Sequence, residues 1–547
     1  MLLPFKRIHL ITFIAVLLDI FDQKNVKALR VLISAPNLFH SHLHMHSAIA
    51  DLLVEEGRHE VTLLVPIWNP DDSETEKSNW THAQTVIRHF PDTVETEILR
   101  RSIANLPFGN DNVWGDGDEV FSGATMPLYK TIFGTACKSL HRSPQLFASL
   151  KSASFDVAIS EWFDACSLAL FHRLGISTTL ITSAIALDSV LARKLGIPMP
   201  TYVPIVNKAS PEGTRMGIWK RFVNYLEIQQ NTHIEELTNS IMNSQFGEQF
   251  PSSQELVLRA SFLLLNTNEM LDLARPISNK IKHIGGFLLE PGYPKSAAAK
   301  VTGRTAQLLD SSGPSSTVPS VLVSFGSVAD PRKMPRQMLR TFLDSFGSVP
   351  EYNFIWRFPR QENDESSNGN LVKEFPPNVH LFHWLDQRAI LAHPNTRAFV
   401  SHCGLNSLNE AATAGVPLLC VPLFGDQNYN AAIVQNHRNG IVLHKKELNK
   451  ETLENALRTL LADEKANEYL RNAKVISGKI TRAPFRPREI VRKCKNEPLG
   501  TEWAGLSGAI GCDDRRNPSD RRVNVPIGDK KRDRIRGDEE KGRLITQ

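Results

Sequence analysis

The chain has 547 residues, 41% hydrophobic and 22% charged, and its 63 basic and 58 acidic side chains leave a formal net charge of +5. That length exceeds one ordinary core, so at least two domains are expected, and the composition excludes a disordered chain or a polytopic membrane protein. So small a positive excess, spread over this length, gives no reason to expect a nucleic-acid partner.

Residues 1–25 read as a secretory signal peptide. Lys6 and Arg7 precede an apolar run from Ile8 to Leu18 that His9 and Thr12 interrupt and that is too short to span a membrane comfortably. A fresh strand starts at Leu29 and does not need these residues. The expected location is the endoplasmic reticulum lumen or secretory pathway, where Asn79, in Asn79-Trp80-Thr81, becomes a glycosylation acceptor. No run of eighteen or more apolar residues occurs, so no membrane-spanning helix is expected.

From residue 28 the pattern is alternating. LRVLIS (29–34) and EVTLLVP (60–66) read as buried strands, and HSAIADLLVEEG (46–57) between them has helical periodicity and ends at a glycine. This βαβ unit predicts a parallel sheet. Further strands are expected at FDVAIS (155–160), TTLITS (178–183) and FLLLNT (262–267), while 207–255 reads as helices and loops. A first domain over 28–286 is followed by a Gly-, Pro- and Ser-rich linker over 287–319. A second domain over 320–495 carries six candidate strands, SVLVSFG (320–326), NFIWRF (353–358), VHLFHWL (379–385), RAFVS (397–401), PLLCVP (417–422) and GIVLH (440–444). The expected fold class is α/β, two Rossmann-like doubly wound domains facing across a cleft at their strand C-terminal edges. Residues 496–547 are dense in mixed charge and read as a disordered tail. The six cysteines form no CxxC pair, which argues against a zinc knuckle or thioredoxin-type site, and their spacing is too scattered for a disulfide framework.

The most informative stretch is 384–431. A strand ends at His402, Cys403-Gly404-Leu405 turns tightly, and a helix is expected from about Asn406 to Ala414. The free N–H groups at that helix start suit a phosphate, with His402, Asn406 and Ser407 adding side-chain donors and Gly404 allowing close approach of the backbone. Glu410, one turn deeper, suits a ribose diol; Asp426 and Gln427, ending another strand, suit sugar hydroxyls; Trp384 and Gln387 offer a stacking plane and an amide for a base. No G-x-G-x-x-G follows any predicted strand, which counts against an NAD-dependent reductase.

These residues make up W-x-x-Q (384–387), H-x-G-x-N-S-x-x-E (402–410), G-V-P (415–417) and D-Q (426–427). In this the segment resembles the signature of the UDP-glycosyltransferase family, which includes the animal glucuronosyltransferases. The resemblance spans about 28–495 and implies a GT-B type fold. It implies that Trp384 and Gln387 meet uracil, that His402, Gly404, Asn406 and Ser407 meet the diphosphate, Glu410 the ribose, and Asp426 and Gln427 the donor sugar. VSFGSV (323–328) matches as well and places Ser327 near the phosphates.

On the acceptor side, family members carry a Ser-His six residues after a Pro and nine before an Asp; Pro36, His42 and Asp51 keep that spacing, so the resemblance implies His42 as the catalytic base. It places an acidic partner, commonly Asp in the family, at Glu161, with Asp164 as the fallback. His40, His42, His44 and His46 alternate, so a metal-binding strand is the competing reading, at a strand-to-helix junction that breaks the period. The expected function is an inverting, metal-independent transfer of glucuronic acid or glucose from a UDP-sugar co-substrate to a small lipophilic hydroxyl compound, without a cofactor. The alternative is a non-catalytic UDP-sugar-binding homologue, and homo-oligomerisation is left open.

Overall fold

A computed structural model describes residues 28–494 apart from 56–58, 72–80, 107–111, 116–124, 207, 209–211, 291–300, 311–317, 360–374 and 464–466. The expected signal peptide over 1–25, the acceptor Asn79 and the charged tail over 496–547 lie outside the described residues.

Two parallel sheets organise the chain. The first contains β1 (Arg30–Ser34), β2 (Glu60–Pro66), β3 (Thr85–His89), β4 (Val157–Glu161), β5 (Thr178–Ser183), β6 (Phe262–Leu265) and β7 (Ile281–His283), in the order β3-β2-β1-β4-β5-β6-β7. The second contains β8 (Ser320–Ser324), β9 (Asn353–Arg357), β10 (Val379–Phe382), β11 (Thr396–Ser401), β12 (Leu418–Cys420) and β13 (Gly440–Val442), in the order β10-β9-β8-β11-β12-β13. The central strands are buried on both faces, which is why they read as unbroken apolar runs. Alternation along a strand then feeds two cores. Val31 and Ile33 pack on one side of the first sheet and Leu32 on the other, as Val321 and Val323 do against Leu322 in the second. Register is set by pairs such as Val31 between Val61 and Val157.

The six strands expected after residue 320 are all present. β3 and β7 were not picked out from the sequence: the first is a half-exposed edge strand and the second is three residues long. The helix expected from residue 46 begins instead at His40 and runs to Glu55. A helix has a period of 3.6, so the alternating histidines fall on two faces. His40 and His44 stack one turn apart at 6.4 Å, while the His46 ring bonds back to the His42 carbonyl at 2.7 Å. Among the described residues, no group of three or more His, Cys, Asp or Glu side chains is arranged to hold a metal ion.

Within the stretch read as a linker, residues Gly303–Asp310 form a helix whose Leu309 is fully buried and whose Leu309 carbonyl accepts from Asn395 Nδ2 at 2.7 Å. The helix Pro487–Cys494 crosses back to the first sheet, burying Val491 and pairing Arg488 with Glu55 at 3.0 Å. Among the described residues no helix is long and apolar enough to cross a membrane. The expectation of no disulfide framework is corrected: Cys137 pairs with Cys166 and Cys403 with Cys420, each with Cα atoms 5.4 Å apart. Separations of 29 and 17 residues carry no signal by themselves. Packing of one helix on another, and of neighbouring parallel strands, makes these pairs.

Candidate active site between the two sheets

Each sheet reverses its strand order once, between β1 and β4 and between β8 and β11. The connections leaving two such neighbours go to opposite faces and open a crevice at the strand ends. The site residues follow these four strands. His42 stands in the first turn after β1, Glu161 ends β4, Ser327 follows β8 and His402 follows β11. One cavity of about 690 Å³ is lined from both sheets, by His42 on one side and Ser327, His402, Gly404, Asn406, Ser407, Asp426 and Gln427 on the other.

His42 Nδ1 lies 3.1 Å from Glu161 Oε2, and the Glu161 side chain is 1% exposed. The second Glu161 oxygen accepts from the Ala184 amide at 3.3 Å, which fixes the carboxylate. Phe39 and Phe163 flank the imidazole at ring-centre distances of 5.2 and 5.5 Å. With Nδ1–H given to a carboxylate, Nε2 is left as the basic nitrogen. His46 bonds Thr182 Oγ1 at 2.8 Å, and burial pushes its pKa down, so it stays neutral behind the site. Asp164 is used elsewhere. It caps the helix Ala165–Leu174, accepting from the Ser167 amide at 3.1 Å and from the Ser167 and Ser160 hydroxyls.

The helix expected from Asn406 begins at Leu405, with Gly404 as its N-cap, so the free N–H groups of its first turn face the cavity. His402 is held here by space that only glycine leaves: a Cβ on Gly326 or on Gly404 would meet its Nε2 at 2.5 Å. Gly404 was expected to admit the ligand to the backbone; what the geometry shows is room for this ring. Burial, with a smaller contribution from Arg357, pushes the His402 pKa down to about 4. At neutral pH it is therefore a neutral hydrogen-bonding group and not a cation. Asn406 accepts from Asn266 Nδ2 at 2.9 Å, leaving its own amide N–H groups for a ligand. Gln427 accepts from the Leu423 and Phe424 amides at 2.8 and 3.2 Å, which likewise leaves its donors. Asp426 is bonded by Asn430 at 2.8 Å; burial raises its pKa, and that hydrogen bond opposes the rise.

Trp384, Gln387 and Glu410 do not line this cavity. They form an adjoining patch in which Gln387 Nε2 donates to Glu410 at 2.6 Å and to Ser407 at 3.1 Å. Burial raises the Glu410 pKa. Trp384 is 74% exposed, with the Arg357 guanidinium 5.7 Å over its ring. Sequence reasoning passed over Asn266 and Arg357. Asn266 follows the end of β6 and Arg357 ends β9; a polar residue closing an apolar strand run was the available signal.

Two doubly wound sheets with a shared cavity at their strand ends form the GT-B architecture, and the chain is a glycosyltransferase of that fold. Among solved structures it is similar to a glycotransferase of kitacinnamycin, with a TM-score of 0.55 at 18% identity over 86% of this chain and 100% of that one. It is also similar to TcCGT1, solved in complex with UDP, with a TM-score of 0.53 at 17% identity, again over 86% and 100%. Residues 30–488 match the family described as UDP-glucoronosyl and UDP-glucosyl transferase, and the chain belongs to it. Its relatives include ugt-50 of Caenorhabditis elegans, 27% identical over 86% of this chain and 85% of that one. UDP-glucuronosyltransferase 3A1 of Bos taurus is 28% identical over 80% and 78%.

Proposed function

We propose that the chain is an active inverting transferase that moves glucuronic acid or glucose from a UDP-sugar to the hydroxyl of a small lipophilic acceptor within the secretory pathway. The observation that carries this reading is the 3.1 Å pair of His42 and a buried Glu161, facing the donor-half residues across one cavity. His42 Nε2 takes the acceptor proton as its oxygen forms a bond to the anomeric carbon, and the bond from that carbon to UDP breaks on the opposite side. Glu161 stabilises the imidazolium formed. The leaving diphosphate faces the N–H groups of the Leu405–Ala414 helix, where negative charge is stabilised without a metal ion. The pocket wall beside His42, with Leu38, Phe39, Phe133, Phe163 and Ile234, suits an apolar acceptor body. The departure of Glu161 from the family's usual Asp motivated the non-catalytic alternative, and nothing in this geometry favours it.

The test measures UDP release and UDP binding side by side. His42→Ala should lower release by about 10²–10⁴-fold, the usual worth of a positioned base, with UDP affinity by calorimetry nearly unchanged. Unaltered release from the variant would sink the assignment.

A further inference from the structure

Among the described residues, the buried polar side-chain atoms that belong to the cavity wall and have no hydrogen-bond partner are His402 Nδ1, Trp162 Nε1 and Asp188 Oδ2. His402 belongs to the donor half. The other two residues stand on the first-half wall, and the transfer chemistry uses neither. Native proteins leave few buried polar groups unpaired, because each one keeps the cost of its lost hydration. Two on one wall of a cavity mark a place where a ligand completes the bonding. Trp162 directly follows Glu161 and is 4% exposed; its backbone amide donates to the Thr182 carbonyl at 3.0 Å, and its ring meets Phe163 edge-on at 6.0 Å. Asp188 is 3% exposed and caps the helix Ser189–Lys194, with Oδ1 accepting from the Val190 amide at 2.8 Å. Arg193 and Arg275 act on its charge from nearby, yet both are bonded elsewhere. Arg193 donates to the Ile228 and Asn231 carbonyls at 3.3 and 2.6 Å, and Arg275 to the Leu187 carbonyl, Asp272 and Tyr429. Asp188 Oδ2 is left without a donor.

We propose that Trp162 and Asp188 select an acceptor carrying more than one hydroxyl: one is presented to His42, and Trp162 Nε1 and Asp188 Oδ2 bind the oxygens that remain. The chemistry of the pair decides the class. An indole N–H can only donate, so Trp162 calls for an oxygen. Burial raises the Asp188 pKa, and a hydroxyl complements that carboxyl with or without its proton. A protonated amine would suit Asp188, but it would leave Trp162 unpaired and be repelled by Arg193 and Arg275. A carboxylate would meet like charge at an ionised Asp188. Leu38, Phe133 and Ile234 on the same cavity suit the apolar skeleton between the hydroxyls. The place of one hydroxyl at His42 rests on the transferase reading; the binding preference does not.

The full-length protein, with UDP present, would be titrated by calorimetry with the two naphthols and with the isomeric dihydroxynaphthalenes. UDP release from a UDP-sugar would be measured with the same compounds. At least one dihydroxynaphthalene should bind about tenfold or more tighter than the naphthol it contains, the usual discrimination by one buried group that is otherwise unpaired. Trp162→Phe keeps a ring and removes the N–H. Asp188→Asn keeps the helix cap and puts a donor where Oδ2 stood. In each variant the ratio of affinities should fall toward one, with UDP affinity nearly unchanged. Equal affinities in the parent protein, or a ratio that either variant keeps, overturns the proposal. So does loss of UDP affinity in either variant, which would make that residue a structural one. Absence of UDP release with every compound, beside an intact binding ratio, would count against the transferase reading alone.

Discussion

Each of His42, Glu161, Asp164 and Gly404 does one separable thing. In the proposed transfer His42 removes a proton, and Glu161 supports the charge that results. Glu161→Gln keeps the shape but removes the charge, so the UDP-release rate should fall, by less than in His42→Ala. Glu161→Asp withdraws the carboxylate by about one bond length, ~1.5 Å, and should fall between the parent and Glu161→Gln. Asp164 offers the contrast. Burial raises its pKa from 3.8 to about 6, against hydrogen bonds from Ser167 and Ser160. Between those values the folded state binds more protons than the unfolded chain, so stability falls as pH rises through the window. The contribution is fully present below about pH 4 and lost above about pH 6, on the order of 3 kcal/mol. Asp164→Asn keeps a cap acceptor and should flatten that part of a denaturant-derived pH–stability curve while leaving transfer intact. Abolished transfer would instead make Asp164 the partner of His42. Gly404 has an ordinary φ of −59°, so alanine there strains no backbone. Its Cβ would still meet the His402 ring at 2.5 Å. Gly404→Ala should therefore lower stability by about 1–3 kcal/mol, the usual cost of overpacking, read by denaturant titration, and weaken UDP binding, read by calorimetry, because the His402 ring is displaced.

At the scale of elements, the helix Gln427–His437 matters because Asp426 and Gln427 open it toward the cavity. Its orientation is held from the first half of the chain. Tyr429 is fully buried, donates to Asp272 at 2.7 Å and also meets Arg275, whose other branch reaches the Leu187 carbonyl at 2.7 Å. His437, at the far end, bonds the Leu271 carbonyl at 2.7 Å. Tyr429→Phe leaves the Asp272–Arg275 pair short of one partner in a buried place. It should cost about 1–3 kcal/mol of stability, read by denaturant titration, and raise the KM for the UDP-sugar more than it lowers kcat. The Cys403–Cys420 link works in the same region, joining the turn after β11 to the end of β12.

Across the whole molecule, the two sheets are joined through residues that belong to neither sheet's own pattern. Trp114, from the first half, is 3% exposed within the core of the second; it packs edge-on to Phe325 at 5.2 Å and donates to the Asp330 carbonyl at 2.9 Å. Asn266 clasps the Leu405–Ala414 helix through Asn406, and through Asn409 at 3.0 Å. Trp114→Ala should destabilise the chain by about 3–5 kcal/mol, as emptied aromatic sites do, and lower UDP affinity because Phe325 directly precedes Gly326 and Ser327. An unchanged melting curve would show that the Trp114 socket contributes nothing to joining the halves.

Strand periodicity and motif order were legible without coordinates, because burial on both faces of a parallel sheet forces local apolar runs and because His402 to Glu410 lie on one turn and helix. The two-sheet α/β class, the six strands after residue 320 and the turn and helix that carry His402 to Glu410 are local in this sense. What the sequence leaves undecided depends on distances between segments far apart in the chain. Whether Glu161 or Asp164 meets His42 turns on where β4 ends relative to the first turn after β1, 119 residues away. The histidine run could be placed on a helix only once its packing against the sheet was known, since alternation by itself suits a strand. The disulfides, the Trp114 socket and the outward apolar face of Ile218–Gln230 are likewise properties of the packed molecule: a helix pattern shows that a stripe exists, and only tertiary structure decides which way it points.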